Sequence, residues 1–253
     1  MKKLKIGIFS LTSCGGDQLS ILNCENDILK ILNKFSVKVF PMFKSSNFSG
    51  RLDAAFVEGS VCQKRDLDLL KNIRDRADIL IGIGTCAAYG GIPAMKNYLS
   101  KDDIIKESVK SAVVDLDFMD AQPISNFVKA DFEIKGCPIE ESAFIETVSN
   151  LIYGNFPEFL KYPVCAECKW NENRCLITEY NEICCGPLTI SGCNARCPGY
   201  GVPCAGCRGP LEEVHYRAAV DAFKFTGVTK EVILRKMSIF VPPSTFMKGV
   251  KKA

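Results

Sequence analysis

Nine of the fourteen cysteines in this chain fall between residues 165 and 207, in a stretch where glycine and proline occupy the turns and long apolar periodicities are few. So short a segment cannot bury a conventional core and needs staples to hold one shape. The other five, Cys14, Cys24, Cys62, Cys86 and Cys137, are scattered through residues 1–160. With 253 residues, 47% of them hydrophobic and 24% charged, the composition is globular and leaves room for a medium domain and a small one. The single histidine, His215, rules out His-rich zinc or copper chemistry and argues against a His-based triad. A formal net charge of +3 gives no electrostatic case for nucleic-acid or membrane-surface binding.

Whether clustered cysteines mean disulfides or metal depends on compartment. The opening MKKLKIGIFSLTSC superficially imitates a lipoprotein signal. Its apolar stretch Ile6–Leu11 is too short for the hydrophobic region of such a signal and is interrupted by Gly7 and Ser10. It reads instead as a buried first strand. No run approaches the roughly 18 apolar residues a membrane span needs. The expectation is a cytoplasmic chain, where thiol clusters hold metal more often than they form disulfides.

Residues 4–10 (LKIGIFS) predict a strand, and the turn LTSCGGD leads into a helical pattern of Leu19, Leu22, Ile28, Leu29, Ile31 and Leu32. Asp17 falls where an N-cap or first-turn acid would sit. Further strands are expected at 37–43, 53–59, 78–84 and 131–136, with helices at 63–76 and 139–154, the last closed by Gly154. Residues 85–91 (TCAAYGG) read as a glycine-punctuated loop. Strands alternating with helices predict an α/β fold with a doubly wound parallel sheet in residues 1–160. Pro157 and Pro163 mark the boundary. Residues 161–253 form a second, loop-rich part with terminal helices at 212–225 and 229–240.

The thiols of that second part fall into two sets of four. Cys165, Cys168, Cys175 and Cys184 form C-x2-C-x6-C-x8-C; eight residues later, Cys193, Cys197, Cys204 and Cys207 form C-x3-C-x6-C-x2-C. Four thiols per set is the ligand count of a 4Fe–4S cubane, each iron taking one thiolate. Four-cysteine zinc sites would use the same ligands structurally. Cys185, adjacent to Cys184, is read as a spare buried thiol. In the first part, Cys14, Cys86 and Cys137 each follow an expected strand. The carboxyl ends of parallel strands gather at one edge, where ligands bind, so three thiols distant in sequence can converge there. Asp17 stands where a second thiol would complete a C-x2-C pair with Cys14; the blander reading makes it a helix cap and the cysteines small buried hydrophobes. Gly82-x-Gly84-x-x-Ala87 matches a dinucleotide fingerprint, but it follows the fourth strand and holds Cys86. Its glycines are better explained by a backbone passing close to a cluster.

LTSCGGD, EGSV, GTCAAYGG, GCP and above all CAECKWNENRC…CCGPLTISGCNARCPGYGVPCAGCRGP resemble the small, electron-transferring subunit of cytosolic nickel–iron hydrogenases, of the delta type found in sulfhydrogenase and NAD(P)-linked enzymes. The resemblance runs over essentially the whole chain. It implies a flavodoxin-like first domain with a proximal cluster and a second domain with a medial and a distal cluster, three iron–sulfur clusters in all, most simply 4Fe–4S. Position by position, it implies Cys14, Cys86 and Cys137 as proximal ligands. Cys165, Cys168, Cys175 and Cys184 match the distal set, and Cys193, Cys197, Cys204 and Cys207 the medial set. Cys24, Cys62 and Cys185 match no ligand position. The family motif is C-x2-C, so Asp17 is a departure; its carboxylate is the expected fourth proximal ligand, a harder donor of the same charge.

The resemblance also implies partners. These are an obligate large subunit carrying nickel and iron, docked over roughly 2,000 Å² or more, and a flavin- or iron–sulfur-containing acceptor subunit, with residues 212–253 as candidate contacts. Such a chain conducts electrons and contains no active site of its own. The rival readings are a complex-I-like 20 kDa iron–sulfur subunit and a zinc-stabilised interaction module. The former typically has adjacent cysteines at its first motif and lacks the eight-thiol tail.

Overall fold

The computed structural model describes residues 3–24, 33–45, 48–108, 118–159, 161–211, 221, 223, 227 and 229–242. Five strands, β1 (Leu4–Ser10), β2 (Phe35–Val39), β3 (Leu52–Glu58), β4 (Ala77–Ile83) and β5 (Phe132–Ile134), form one sheet in the order β2-β1-β3-β4-β5. Every pairing is parallel, with Ile8 opposite Phe56 and Phe56 opposite Ile81. This is the flavodoxin-like strand order, whose ligand crevice lies where the winding reverses beside β1 and β3.

Both faces of the sheet are covered, so its strands are apolar runs. On one face Ile6, Ile8, Phe56, Ile81 and Ile134 pack against Ile21 of α1 (Gly16–Leu22) and Phe144 and Val148. Those last two come from the helix Glu141–Leu151. On the other face Phe9, Ala55, Val57 and Leu80 pack against Leu70 and Ile73 of α2 (Lys64–Arg76). Phe56 and Phe144 meet edge to face at 5.3 Å, an arrangement that adds about 1 kcal/mol to the burial of two large rings. Arg74 and Asp131 tie α2 to the segment entering β5 at 2.7 Å.

Three expectations are corrected. The second strand ends at Val39, and Phe40–Phe43 is a turn. Residues 85–91 are not a loop, because Gly84–Tyr89 (α3) is helical and stops only at Gly90, whose φ is +90°. Small residues at 84–88 let this turn of helix pack directly on the sheet, which glycine content alone disguised. The helix expected at 139–154 spans Glu141–Leu151, with Gly154 in the left-handed region three residues later. The helix pattern beyond Cys24 and most of 212–225, including His215, lie outside the described residues. The expected terminal helix is found at Lys230–Met237.

The thiol-rich segment has short helices, and its buried side chains complete a core only with residues from beyond it, including Tyr89 of the sheet region. Val164, Ile183, Leu188, Phe223 and Val241 are packed with Cys184, Cys185 and Cys204. It joins the sheet region through Arg196 and Glu140, 2.5 Å apart, and through a hydrogen bond from Thr85 Oγ1 to the Cys207 carbonyl.

Candidate metal centres

The carboxyl edge of the sheet collects the first set. The turn after β1 carries Cys14, α1 carries Asp17, α3 carries Cys86, and Cys137 follows β5. Burial pushes the Cys137 thiol up to about 12, and the charges of Cys86, Asp17, Cys207 and Cys14 add to it. Cys86 is pushed up to about 12 by burial and then by Asp17, opposed by the Ile92 N–H. The four predicted residues are therefore brought together. A metal held by these thiols would have to displace their protons.

Asp17 is not a helix cap. Gly15 is the N-cap residue, and Asp17 turns inward, 6% exposed, to accept a 2.8 Å hydrogen bond from the Ile139 N–H. Burial, then the nearby Glu58, push its carboxyl up to about 7, with the Ile139 bond pulling it back. Glu58, 1% exposed, accepts from Gln18 Nε2 at 2.8 Å and from the Asp17 N–H at 3.3 Å. Two glycines make this packing possible. A Cβ on Gly84 (φ +82°) would overlap the Asp17 carboxylate, and one on Gly91 (φ +57°) would lie 2.5 Å from Cys86 Sγ. Within the Gly82-x-Gly84-x-x-Ala87 pattern, Gly84 brings the backbone against Asp17, and this buried acid repels the phosphate a dinucleotide fingerprint would serve.

The second set gathers around α4, the helix Val164–Trp170, which carries Cys165 and Cys168 one turn apart on one side. Burial pushes Cys165 up to about 12, followed by the charges of Cys184, Cys168 and Cys175. At Cys175, burial is outweighed by donors from the Thr178 side chain and the Thr178 and Ile177 N–H groups, which hold this thiol below its ordinary value. The N–H groups of Gly186 and Cys204 point at Cys184 Sγ, the latter at 3.2 Å. Asn173 faces the Cys168 thiol, yet its buried Nδ2 has no hydrogen-bond partner among the described residues.

In the third set, Cys207 is raised by burial and has Cys197 as a neighbouring charge, while the Cys137 N–H facing its sulfur pulls it down. Cys193 is pushed up to about 11 by burial and by Glu167, with Arg208 pulling it down and Cys207 close by. Cys204 lies differently. Its strongest thiol neighbours are Cys184 and then Cys185, and it takes hydrogen bonds from the Gly206 N–H and Thr189. Each set keeps one thiol exposed: Cys14, Cys175 and Cys197.

The thiols outside the sets have local partners. Cys24 donates to the Ser20 carbonyl at 3.4 Å, Cys62 pairs with Ser60 at 3.3 Å, and Cys185 is buried beside Lys236. Residues not singled out from sequence are Glu58, Glu167, Arg208, Asn173 and Thr85. Glu58 alone had a signal, an acid ending an apolar strand within EGSV.

The residues present fit iron–sulfur clusters. Backbone N–H groups face the soft sulfur donors Cys86, Cys175, Cys184, Cys193, Cys204 and Cys207, as suits thiolate ligands and inorganic sulfide. The orphaned Asn173 Nδ2 is a donor awaiting an acceptor beside Cys168. Among the described residues no three His, Cys, Asp or Glu side chains close on one point as a single metal ion would need.

The family profile described as "NADH ubiquinone oxidoreductase, 20 Kd subunit" matches residues 14–151. Sulfhydrogenase 2 subunit delta of Pyrococcus furiosus is 32% identical over 237 residues, covering 94% of this chain and 99% of that one. The chain belongs to the nickel–iron hydrogenase small-subunit family. A subunit of the F420-non-reducing hydrogenase of Methanothermobacter thermautotrophicus is 28% identical over 86% of this chain and 82% of its own. An actinobacterial-type NiFe-hydrogenase chain from Ralstonia eutropha H16 has the same fold, with a TM-score of 0.58 at 18% identity over 100% of this chain and 90% of that one. The profile match stops before the thiol-rich tail, so its name bears on the sheet region, whereas the Pyrococcus relative spans both parts of the family architecture. No described helix is long and apolar enough to cross a membrane.

Proposed function

We propose that this hydrogenase subunit is an electron relay, passing electrons between a hydrogen-activating large subunit and an acceptor subunit through three iron–sulfur clusters. The observation that carries the reading is the gathering of Cys14, Asp17, Cys86 and Cys137 at the carboxyl edge of the sheet, joined to the thiol-rich segment by the Cys137–Cys207 contact. Cys165, Cys168, Cys175 and Cys184 are the distal ligands, and Cys193, Cys197, Cys204 and Cys207 the medial ones. Asp17 is the fourth proximal ligand. The divide near residue 160 separates a proximal-cluster domain from a domain holding the other two. When bound, the clusters supply one-electron carriers whose potentials depend on ligands, burial and hydrogen bonds.

The chain's own residues prepare those sites. Gly84 and Gly91 admit Asp17 and Cys86 to the sheet edge, Ile139 fixes one Asp17 oxygen, and Glu58 orders α1 through Gln18. The N–H groups of Ile92, Gly186, Ala195 and Gly206 stabilise thiolate charge at their partner sulfurs. Exposed Met42, Phe43, Met95 and Leu19 supply apolar surface on the sheet region for a large partner.

Anaerobically prepared protein should be brown and contain roughly 12 irons with matching acid-labile sulfide per chain. A colourless, zinc-loaded protein overturns the relay and favours the structural module.

A further inference from the structure

Arg208 follows Cys207 directly and is 5% exposed. Its Nε donates to the Ser191 carbonyl at 2.7 Å and its Nη1 to the Lys135 carbonyl at 2.8 Å. Its guanidinium lies against Gly192, so closely that a Cβ there would clash with Nη2. Cys207, its neighbour in the chain, and the Gly192–Cys193 turn, its neighbour in space, therefore belong to one thiol set. Among the described residues no carboxylate forms an ion pair with it. A buried cation satisfied only by carbonyls lacks a counter-charge, which is costly unless an anion is supplied.

Glu167 stands beside the same turn. It is 8% exposed, and its Oε1 accepts from the Gly192 N–H at 2.7 Å. Its Oε2 accepts from the Ala195 N–H at 3.1 Å and lies 3.8 Å from Cys193 Sγ. One buried positive and one buried negative group thus meet the loop that carries Cys193.

We propose that Arg208 and Glu167 are positioning residues that set the reduction potential of the Cys193–Cys207 cluster in opposite directions, the guanidinium raising it and the carboxylate lowering it. The inference rests on the cluster reading above. Four thiolates make the ligand set anionic, and each electron accepted from a low-potential donor adds one further negative charge, removed again on reoxidation. In a medium of low dielectric constant the nearby cation favours the more negative state and the anion opposes it.

The test is a redox titration of the anaerobically prepared full chain, followed by electron paramagnetic resonance and paired with iron and sulfide assay. Arg208→Gln should move one cluster signal to lower potential and leave the others in place, with iron and sulfide unchanged. Arg208→Lys should return most of that shift, since charge is restored without the guanidinium geometry. Glu167→Gln should move the same signal upward. Equal displacement in the Gln and Lys variants, or an unmoved signal with full iron content, overturns the proposal. If Arg208→Gln loses iron, Glu167→Gln decides: an upward shift upholds the proposal, and no shift or a downward one overturns it. Failure of the cluster reading is a separate result, visible as absent sulfide in the unsubstituted chain.

Discussion

The backbone N–H of Cys137 faces the sulfur of Cys207, although the two residues belong to different thiol sets. With Thr85 Oγ1 bonded to the Cys207 carbonyl, the sheet edge holds this cysteine at both its sulfur and its backbone. With Arg196 on Glu140 and Arg208 on the Lys135 carbonyl, these contacts join the thiol-rich segment to the sheet edge at several points. Cys207→Ser should remove roughly a third of the iron and leave the signals of the other two sets in place. Cys24→Ser, Cys62→Ser and Cys185→Ser should retain the full complement. Loss of iron in any of these last three would overturn the ligand assignment.

Asp17 gives the second prediction. If its carboxylate is a ligand, Asp17→Cys and Asp17→Ala should both change the spectroscopic signature of the proximal cluster, the first by replacing oxygen with a softer sulfur donor. Two variants with the unaltered signal show that Asp17 is not bound to iron.

Gly84→Ala tests the close approach that seats this carboxylate. The added methyl overlaps the Asp17 side chain and requires a left-handed backbone at φ +82°. A loss of about 1–3 kcal/mol is expected, read as a lowered urea midpoint with an unchanged slope. Wild-type stability in this variant would show that α3 shifts freely, contrary to its packing against the sheet.

Asp131 carries a pH dependence away from the thiols. Burial works against its ionisation, but the Leu80 N–H and Arg74 outweigh it and hold the carboxyl below the ordinary value. A folded-state pKa below the unfolded one gives stabilisation that is complete above pH about 4 and lost as the pH falls through the folded value. Asp131→Asn should therefore cost about 1–2 kcal/mol at pH 7, with the gap to wild type closing in acid as the pH falls through the folded value. An equal gap at both pH values would assign the effect to shape rather than charge.

The sheet was legible because parallel strands buried on both faces are written as apolar runs; Ile6–Phe9 and Ala54–Val57 could hardly lie elsewhere. The clustering of thiols was legible because chemistry restricts what so many cysteines can do, but the spacing did not show that Cys204 lies beside Cys184. What escaped detection depends on folding. Arg208 is one basic residue among thirty-two until Ser191 and Lys135 turn their carbonyls toward it. Glu167 sits between two cysteines with nothing in its neighbours to indicate that it caps a turn 25 residues away. Residues 84–89 misled for a different reason: glycine marks a tight contact as readily as a loop, and only packing distinguishes them.

The exposure of Cys14, Cys175 and Cys197, one in each set, gives every site a doorway to solvent. These openings admit dioxygen and alkylating reagents, and a partner that covers Cys14 would seal the proximal site against both.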